Sequence, residues 1–415
     1  MITPPALTQQ HDRSDPVPAA DRLPDQVRTA LGRVSHPVLI DLDRLEAVRQ
    51  RFDLDQATSL GSYLQAAQSP NTLRAYRSDW VAWAAWCLAE GRQALPADPL
   101  DVAVYLAAAA DTVRESGGWA FSPSTLERKA AAIAAVHAAN GLPSPTRTDV
   151  VRLTLRGIRR TRQTPPRRKR PVLLPTLEAL LAERPAPGWP GEIARRRDAL
   201  LLLVGFAGAL RRSELAALRF DDVIVQTDPR TDEPLLLVQL AVTKTDQTGG
   251  RQQSVALPRG GRPHTCPVCA LASWAELLEV HRDGGHEGLR QWAEQRTEPA
   301  RAVHRCHGYP GTDLADGQRR PLFPSVSRHG RIGTAPMSDR AVADLVKRYA
   351  ERAGLDPSLF GGHSLRAGFA TQAALGGASD REIMRQGRWT NPGMVHRYIR
   401  TANPLEDNAV TRLGL

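Results

Sequence analysis

In Gly362-His363-Ser364-Leu365-Arg366 an imidazole and a guanidinium lie three residues apart, which puts both on one face at the start of a helix. Arg211 and Glu214 repeat the spacing in Arg211-Arg212-Ser213-Glu214-Leu215, directly after a wholly apolar stretch. A half-buried arginine needs a partner, so a structural Arg211–Glu214 ion pair is enough to explain that second pair by itself. Lys244 falls on the tip side of a hairpin, where lysine is usually solvated, and Trp389 and Tyr398 are aromatics that ordinarily belong to a core. Taken singly, none of these specifies a reaction. As residue types they offer forked guanidinium donors that stay charged, an imidazole that can carry a proton, an indole N–H donor and a phenol of pKa about 10. Such a set suits an anionic reacting centre.

The charge balance points the same way. Fifty-five Lys and Arg against 44 Asp and Glu give +11 over 415 residues. Nine basic residues and no acidic one fall within 151–170, so the rest of the chain carries only +2. Concentrated charge of this kind belongs either to a solvated linker or to nucleic-acid contact. Four cysteines are too few for a disulfide framework, and residues 1–15 lack a charged and then apolar leader, which reads as a reducing, cytoplasmic setting. The longest strongly apolar stretch, around Leu200–Leu210, is about half the ~20 residues a membrane span needs.

Those residues need elements to hold them. Residues 1–40 are rich in Pro, Asp and Gln and read as a disordered tail. From 41 to 160 apolar positions recur at three- and four-residue spacing, giving expected helices at 45–52, 58–67, 72–90, 98–110, 123–140 and 147–160. Ser69-Pro70-Asn71, Asp98-Pro99 and Ser122-Pro123 supply start signals, and Gly91, Gly117-Gly118 and Gly141 supply stops. A basic linker at 161–171, broken by Pro165-Pro166, leads to a mixed α/β half at 172–415. There we expect helices at 176–183, 195–218, 269–280, 338–353, 364–375, 380–386 and 392–400. Two strands, 235–244 and 252–257, form a hairpin, and 281–333 reads as an irregular insertion. The fold class is therefore mainly α with a small β-sheet in the C-terminal half.

Order and spacing add what single residues lack. ArgXxxSerGluLeu at Arg211–Leu215, Thr243-Lys244-Thr245, GlyHisSerXxxArg at Gly362–Arg366, and Gly387-Arg388-Trp389-Thr390-Asn391 through Tyr398-Ile399-Arg400 together resemble the tyrosine recombinase (phage-integrase-type) superfamily. Trp389, where most of that superfamily has a second histidine, is similar to the Cre-like subgroup, as are Ala82-Trp83-Ala84-Ala85-Trp86-Cys87 and Leu95-Pro96-Ala97-Asp98-Pro99. The resemblance runs from about residue 58 onward. It implies an all-helical, SAM-like core-binding domain joined to a mixed α/β catalytic domain, closing as a C-shaped clamp on duplex DNA.

It also implies roles. Tyr398 is the nucleophile that forms a 3′-phosphotyrosine, Arg211 and Arg366 neutralise the phosphate, and His363 is the base or proton carrier at the phenol. Trp389 donates to a phosphate oxygen, Lys244 protonates the leaving 5′-oxygen, and Glu214 orients Arg211. The expected activity is site-specific recombination through a Holliday junction, with no cofactor. A topoisomerase- or telomere-resolvase-like strand transferase and a non-enzymatic DNA-binding regulator are the alternatives. Arg74, Arg77, Arg128 and Lys129 of the helical half, Arg159, Arg160 and Arg162 of the basic run, and Arg340 at a helix start are the expected DNA contacts, each otherwise a solvated charge. Strand exchange between two duplexes implies a homotetramer on inverted-repeat half-sites, the apolar tail 401–415 docking either on a neighbouring protomer or in cis, and a nucleoid location. His396, two residues before Tyr398, reads as a surface or DNA-facing residue, with supply of the missing second imidazole as the alternative. Cys266-Pro-Val-Cys269 has zinc-ligand spacing, with His264, Cys306 and His307 as distant partners. A single pair of this kind reads as a turn at a helix start, and no metal is assigned.

Overall fold

The computed structural model describes residues 70–162, 169–240, 253–295, 303–307, 309, 320–399, 410 and 413. The expected tail at 1–40, the helices at 45–52 and 58–67, the Lys244 hairpin tip, Arg167 and Arg168 of the linker, and nearly all of the 401–415 tail lie outside them. The chain divides into two compact units between Pro166 and Arg167.

The described part of the first unit holds α1 (Pro70–Ala89), α2 (Pro99–Asp111), α3 (Pro123–Ala139) and α4 (Asp149–Thr161). Their starts follow local chemistry: the Asp98 carboxylate accepts from the Leu100 amide at 2.7 Å and the Ser122 hydroxyl from the Thr125 amide at 3.2 Å, each ahead of a proline in the first turn. Trp83, Leu106, Leu126 and Ile133 are fully buried between these helices. Trp83 stacks on Trp86, meets Tyr105 edge-on and donates its indole N–H to the Ala94 carbonyl at 3.1 Å. Buried His137 is a structural residue: its Nδ1 bonds the Ile133 carbonyl at 2.8 Å and its Nε2 accepts from the Ala97 amide at 2.8 Å.

The second unit is built around α6 (Gly191–Ala207), whose Leu200–Val204 run is buried on every side. Preceding it is α5 (Leu174–Ala182), and following it is the short α7 (Arg212–Ala217). The expected single helix over 195–218 is thus two helices. Gly208 ends the first, and Ala209, with φ 47°, turns the chain before Arg211. Strands β1 (Val223–Thr227), β2 (Pro234–Leu240) and β3 (Gln253–Pro258) form an antiparallel sheet in that order. Leu236 faces Leu257 and Val238 faces Val255 across it, which sets the core side of the hairpin. β1 adds a third strand to the two expected from the sequence.

The reading of 281–333 as irregular also needs correction. α8 (Pro267–Glu294) runs well into it, kinked at Gly285 where φ is 61°, and β4 (Pro324–Val326) pairs with β5 (Ile332–Pro336). The unit closes with α9 (Asp339–Arg352), α10 (Gly362–Leu375), α11 (Asp380–Gly387) and α12 (Pro392–Ile399).

α10 is clamped by the strand-like segment before α5. The Arg170 amide donates to the Leu359 carbonyl at 2.7 Å and the Val172 amide to the Ser364 carbonyl at 3.0 Å. The approach is close enough that a Cβ on Gly368 would stand 1.9 Å from the Val172 oxygen. Gly368→Ala, which in an open helix would stabilise, should here cost about 2–3 kcal/mol by overpacking. Thermal unfolding checks this, with an expected loss of roughly 5–10 °C for a unit of this size.

Candidate active site

The turn after α6 places the first functional group. Because Ala209 turns the chain, Arg211 takes up an extended conformation at the N-cap of α7. Glu214, three residues on, accepts from the Arg211 amide at 2.9 Å and also pairs with its guanidinium. Glu214 Oε2, the oxygen that accepts from the Arg211 amide, also accepts from Arg388 Nη2 at 2.7 Å, and Arg388 Nη1 bonds the Gly208 carbonyl at 3.3 Å. Arg388 itself caps α11 in the left-handed region, φ 57°. One buried carboxylate therefore holds two arginines from separate elements.

Arg366, on the second turn of α10, is only 2% exposed. It donates through Nη1 to the Ala209 carbonyl, and its guanidinium lies 4.2 Å from the centre of the Trp389 ring. Burial, followed by the like charges of Arg211 and Arg388, pushes its pKa down to about 9. It still carries its charge at neutral pH. Its Nη2 is buried and has no hydrogen-bond partner among the described residues. Arg388 is also held below the ordinary arginine range, by burial first, with the Glu214 carboxylate opposing the shift.

Tyr398 completes the group. Its Oη is 2.7 Å from His363 Nε2, and its ring lies 5.5 Å from that of Trp389 and 5.7 Å from that of His363. Trp389, 5% exposed, packs with Ala370, Ile383 and Val395, so the tryptophan is a buried wall between Arg366 and Tyr398. The fold of this wall depends on Gly387, where a Cβ would stand 1.8 Å from the Trp389 ring. Gln386 ties the same helix end to the Ala207 carbonyl on α6 and the Ala256 carbonyl on β3, both at 3.0 Å.

The structure thus brings Arg211, Glu214, His363, Arg366, Trp389 and Tyr398 together, and Lys244 lies outside the described residues. Arg212, the neighbour most easily confused with Arg211, points to Asp339 at 3.2 Å. His396 pairs instead with Asp380 and is exposed. Arg388 and Gln386 were not singled out in the sequence. The signal available for Arg388 was its place between Gly387 and Trp389, but its left-handed backbone gave no sign in the residue type.

The expected DNA contacts separate into two groups. Arg74, Arg77, Arg159, Arg160 and Arg340 are exposed, Arg340 beside Asp344 at 3.6 Å and Arg159 paired with Glu127. Arg128 is half-exposed and bonded to Asp79 through Nε at 2.8 Å. Lys129 and Arg162 correct the expectation. Lys129 is buried, donating to Tyr105 Oη at 3.1 Å with Asp79 at 3.7 Å, and burial lowers its pKa. Arg162 is also buried, stacked 3.8 Å over the Trp119 ring and bonded to the Phe121 carbonyl. Both serve the packing of the first unit, since a long cationic side chain with an internal acceptor and an aromatic face is better satisfied there than in water.

Removing the shared carboxylate should be expensive, because it leaves two guanidiniums buried without their partner. Glu214→Ala is expected to cost about 3–5 kcal/mol, read from the urea midpoint of the purified chain. Gly387→Ala should leave the helices in place but displace the Trp389 ring, giving a changed tryptophan emission in the folded protein.

Comparison with known proteins places these observations in company. The family model described as phage integrase family matches residues 296–404, which include His363, Arg366, Trp389 and Tyr398. The chain is 32% identical over 354 residues to an integrase/recombinase xerD homolog of Selenomonas ruminantium, covering 84% of this chain and 87% of that protein. It is 25% identical over 357 residues to the recombinase cre of Escherichia phage P1, covering 84% and 88%. Its fold is similar to that of the XerH site-specific recombinase in a post-cleavage complex with palindromic difH substrate, at a TM-score of 0.50 and 13% identity over 90% of this chain and 89% of that one.

Proposed function

The chain belongs to the phage integrase family of tyrosine recombinases and is a site-specific DNA recombinase, and from the site's geometry we propose that Tyr398 is the residue that cuts and holds the strand. The 2.7 Å contact between Tyr398 Oη and His363 Nε2 carries this assignment. In the forward step Tyr398 Oη bonds to the scissile phosphorus as the bond to the 5′-oxygen breaks, and the phenolic proton passes to His363 Nε2. Arg211 and Arg366 take up the negative charge that builds on the non-bridging oxygens, with Glu214 holding Arg211 in place. The buried, unpartnered Nη2 of Arg366 fits this role, because a phosphate oxygen would give it the acceptor it lacks. Lys244 is the proposed donor of the proton that the departing 5′-oxygen takes up.

The 3′-phosphotyrosine conserves the bond energy, so attack by a partner strand's 5′-hydroxyl reverses the step without a nucleotide cofactor. A chain with one such tyrosine cuts one strand. Exchange between two duplexes breaks four strands, and we assign the working form to a homotetramer on paired inverted half-sites with a short central spacer, resolving a Holliday junction. The first unit is the proposed core-binding domain. Exposed Arg152, Arg156, Arg159 and Arg160 on α4 give it a basic face for phosphate contact. No helix among the described residues is long and apolar enough to cross a membrane, and a nucleoid location follows from the DNA substrate.

The test uses a nicked suicide half-site taken from the DNA that the purified full chain selects out of a random library. Wild-type protein should form a covalent complex stable in denaturant, and Tyr398→Phe should form none while still shifting the DNA in a gel. His363→Ala should slow cleavage by about 10²–10⁴-fold. A denaturant-stable complex with Tyr398→Phe would overturn the assignment of the nucleophile.

A further inference from the structure

Away from Tyr398, the second unit gathers three cysteines and a histidine whose ligand atoms all lie within 4.8 Å of one another: Cys266, Cys269, His304 and Cys306. Cys266 Sγ is 4.0 Å from Cys306 Sγ, and His304 Nδ1 is 3.4 Å from Cys269 Sγ and 3.6 Å from Cys306 Sγ. Four ligands around a tetrahedral zinc, at about 2.3 Å for sulfur and about 2.0 Å for nitrogen, would stand roughly 3.8 Å apart for sulfur pairs and roughly 3.5 Å for sulfur and nitrogen. These three spacings are close to those of that tetrahedron. They do not match a disulfide, whose sulfurs are about 2.05 Å apart.

The surroundings direct backbone amides at the sulfur atoms. All three cysteines are buried and unbridged. Cys266 caps the N-terminus of α8 and Cys269 lies in its first turn, as the sequence suggested for this pair. The Arg305 amide donates to Cys269 Sγ at 3.3 Å, and amides of Cys269, Gly260 and Val268 are directed at Cys266 Sγ. Thiolates placed against amide donors are the usual ligands of a structural metal, whereas three neutral thiols packed together gain little from them.

Two of the partners considered from the sequence lie elsewhere. His264 faces Glu178 at 3.9 Å and His307 faces Glu233 at 3.3 Å, so the fourth ligand is His304 and the pattern is CysXxxXxxCys followed by HisXxxCys.

We infer that Cys266, Cys269, His304 and Cys306 bind one zinc ion as a closed structural site, which fixes the segment following α8 to the start of that helix, just beyond β3. Four protein ligands leave no open position, so the ion would hold structure rather than activate water. The site joins residues 35 or more positions apart, and its neighbours reinforce the same junction: Arg305 pairs with Glu276 of α8 at 2.9 Å. That is the kind of constraint a helix kinked at Gly285 needs to hold the direction of its far half.

The test is elemental analysis of the full-length chain, expressed in zinc-supplemented medium and purified with reductant and without chelator. We expect one zinc per chain. Cys306→Ser and His304→Ala should each lose it, whereas His264→Ala, His307→Ala and Cys87→Ser should keep it. Replacement by cobalt should give the sulfur-to-metal charge-transfer absorption of a tetrahedral thiolate site in the wild type, absent from Cys306→Ser. Should those variants fail to fold, the wild-type stoichiometry and cobalt spectrum still decide. Wild-type protein with no bound zinc, iron in its place, a Cys266–Cys306 disulfide by mass, or zinc retained by both ligand variants would each overturn the site.

Discussion

Everything at the active site turns on the carboxylate of Glu214. Three guanidiniums, those of Arg211, Arg366 and Arg388, converge where solvent is largely excluded, and like charges in such a setting repel strongly. Glu214 is the acidic group in that convergence, bonded to two of the three. It leaves a net positive pocket with fixed geometry and two buried donors that have no partner among the described residues, Arg366 Nη2 and Arg388 Nε. Such a pocket is unfavourable when empty of anion and favourable when a phosphodiester enters, which is the sense of electrostatic preorganisation: the reorganisation is done during folding rather than during the reaction.

That constraint explains local features that would otherwise be arbitrary. The α6–α7 break is needed so that Arg211 can be at a helix start, with Glu214 reaching back to its amide, and so that the Ala209 carbonyl can face Arg366. The left-handed cap at Arg388 sends its guanidinium back to Glu214 while releasing the chain toward Trp389. Gln386 then joins this corner to α6 and β3. β3 and the helix end that leads to Trp389 are therefore joined at one corner of α6.

Much of this was legible in the sequence, for definite reasons. Helices with apolar repeats and side-chain caps, such as α2 after Asp98 and α3 after Ser122, fall within a residue or two of where the pattern put them. The break in 195–218 was not legible, because Gly208-Ala209 carries no proline and the apolar period continues through it. Nor was α8 beyond 280, where Gly284-Gly285 reads as a loop yet only kinks the helix. At the site, spacing selected the reacting residues, while Arg388 stayed hidden because its function depends on a backbone angle. His304 stayed hidden for a related reason: His264 and His307 offer equivalent imidazoles near the cysteines, and only the fold turns those two toward Glu178 and Glu233.

Charge shows most clearly where composition stops being informative. The basic run 151–170 holds nearly all of the chain's surplus, yet its members have different fates. Arg152, Arg156, Arg159 and Arg160 stand on the exposed side of α4, while Arg162 is folded against Trp119. In the same unit Lys129 is spent on Asp79 and Tyr105. A buried cation releases no counterion when DNA binds, so the salt dependence of binding is set by the exposed arginines and not by the formal count. The residues that react obey the opposite rule: Arg366 is among the most buried side chains of the protein, and its usefulness to a phosphate comes from the water it has already given up.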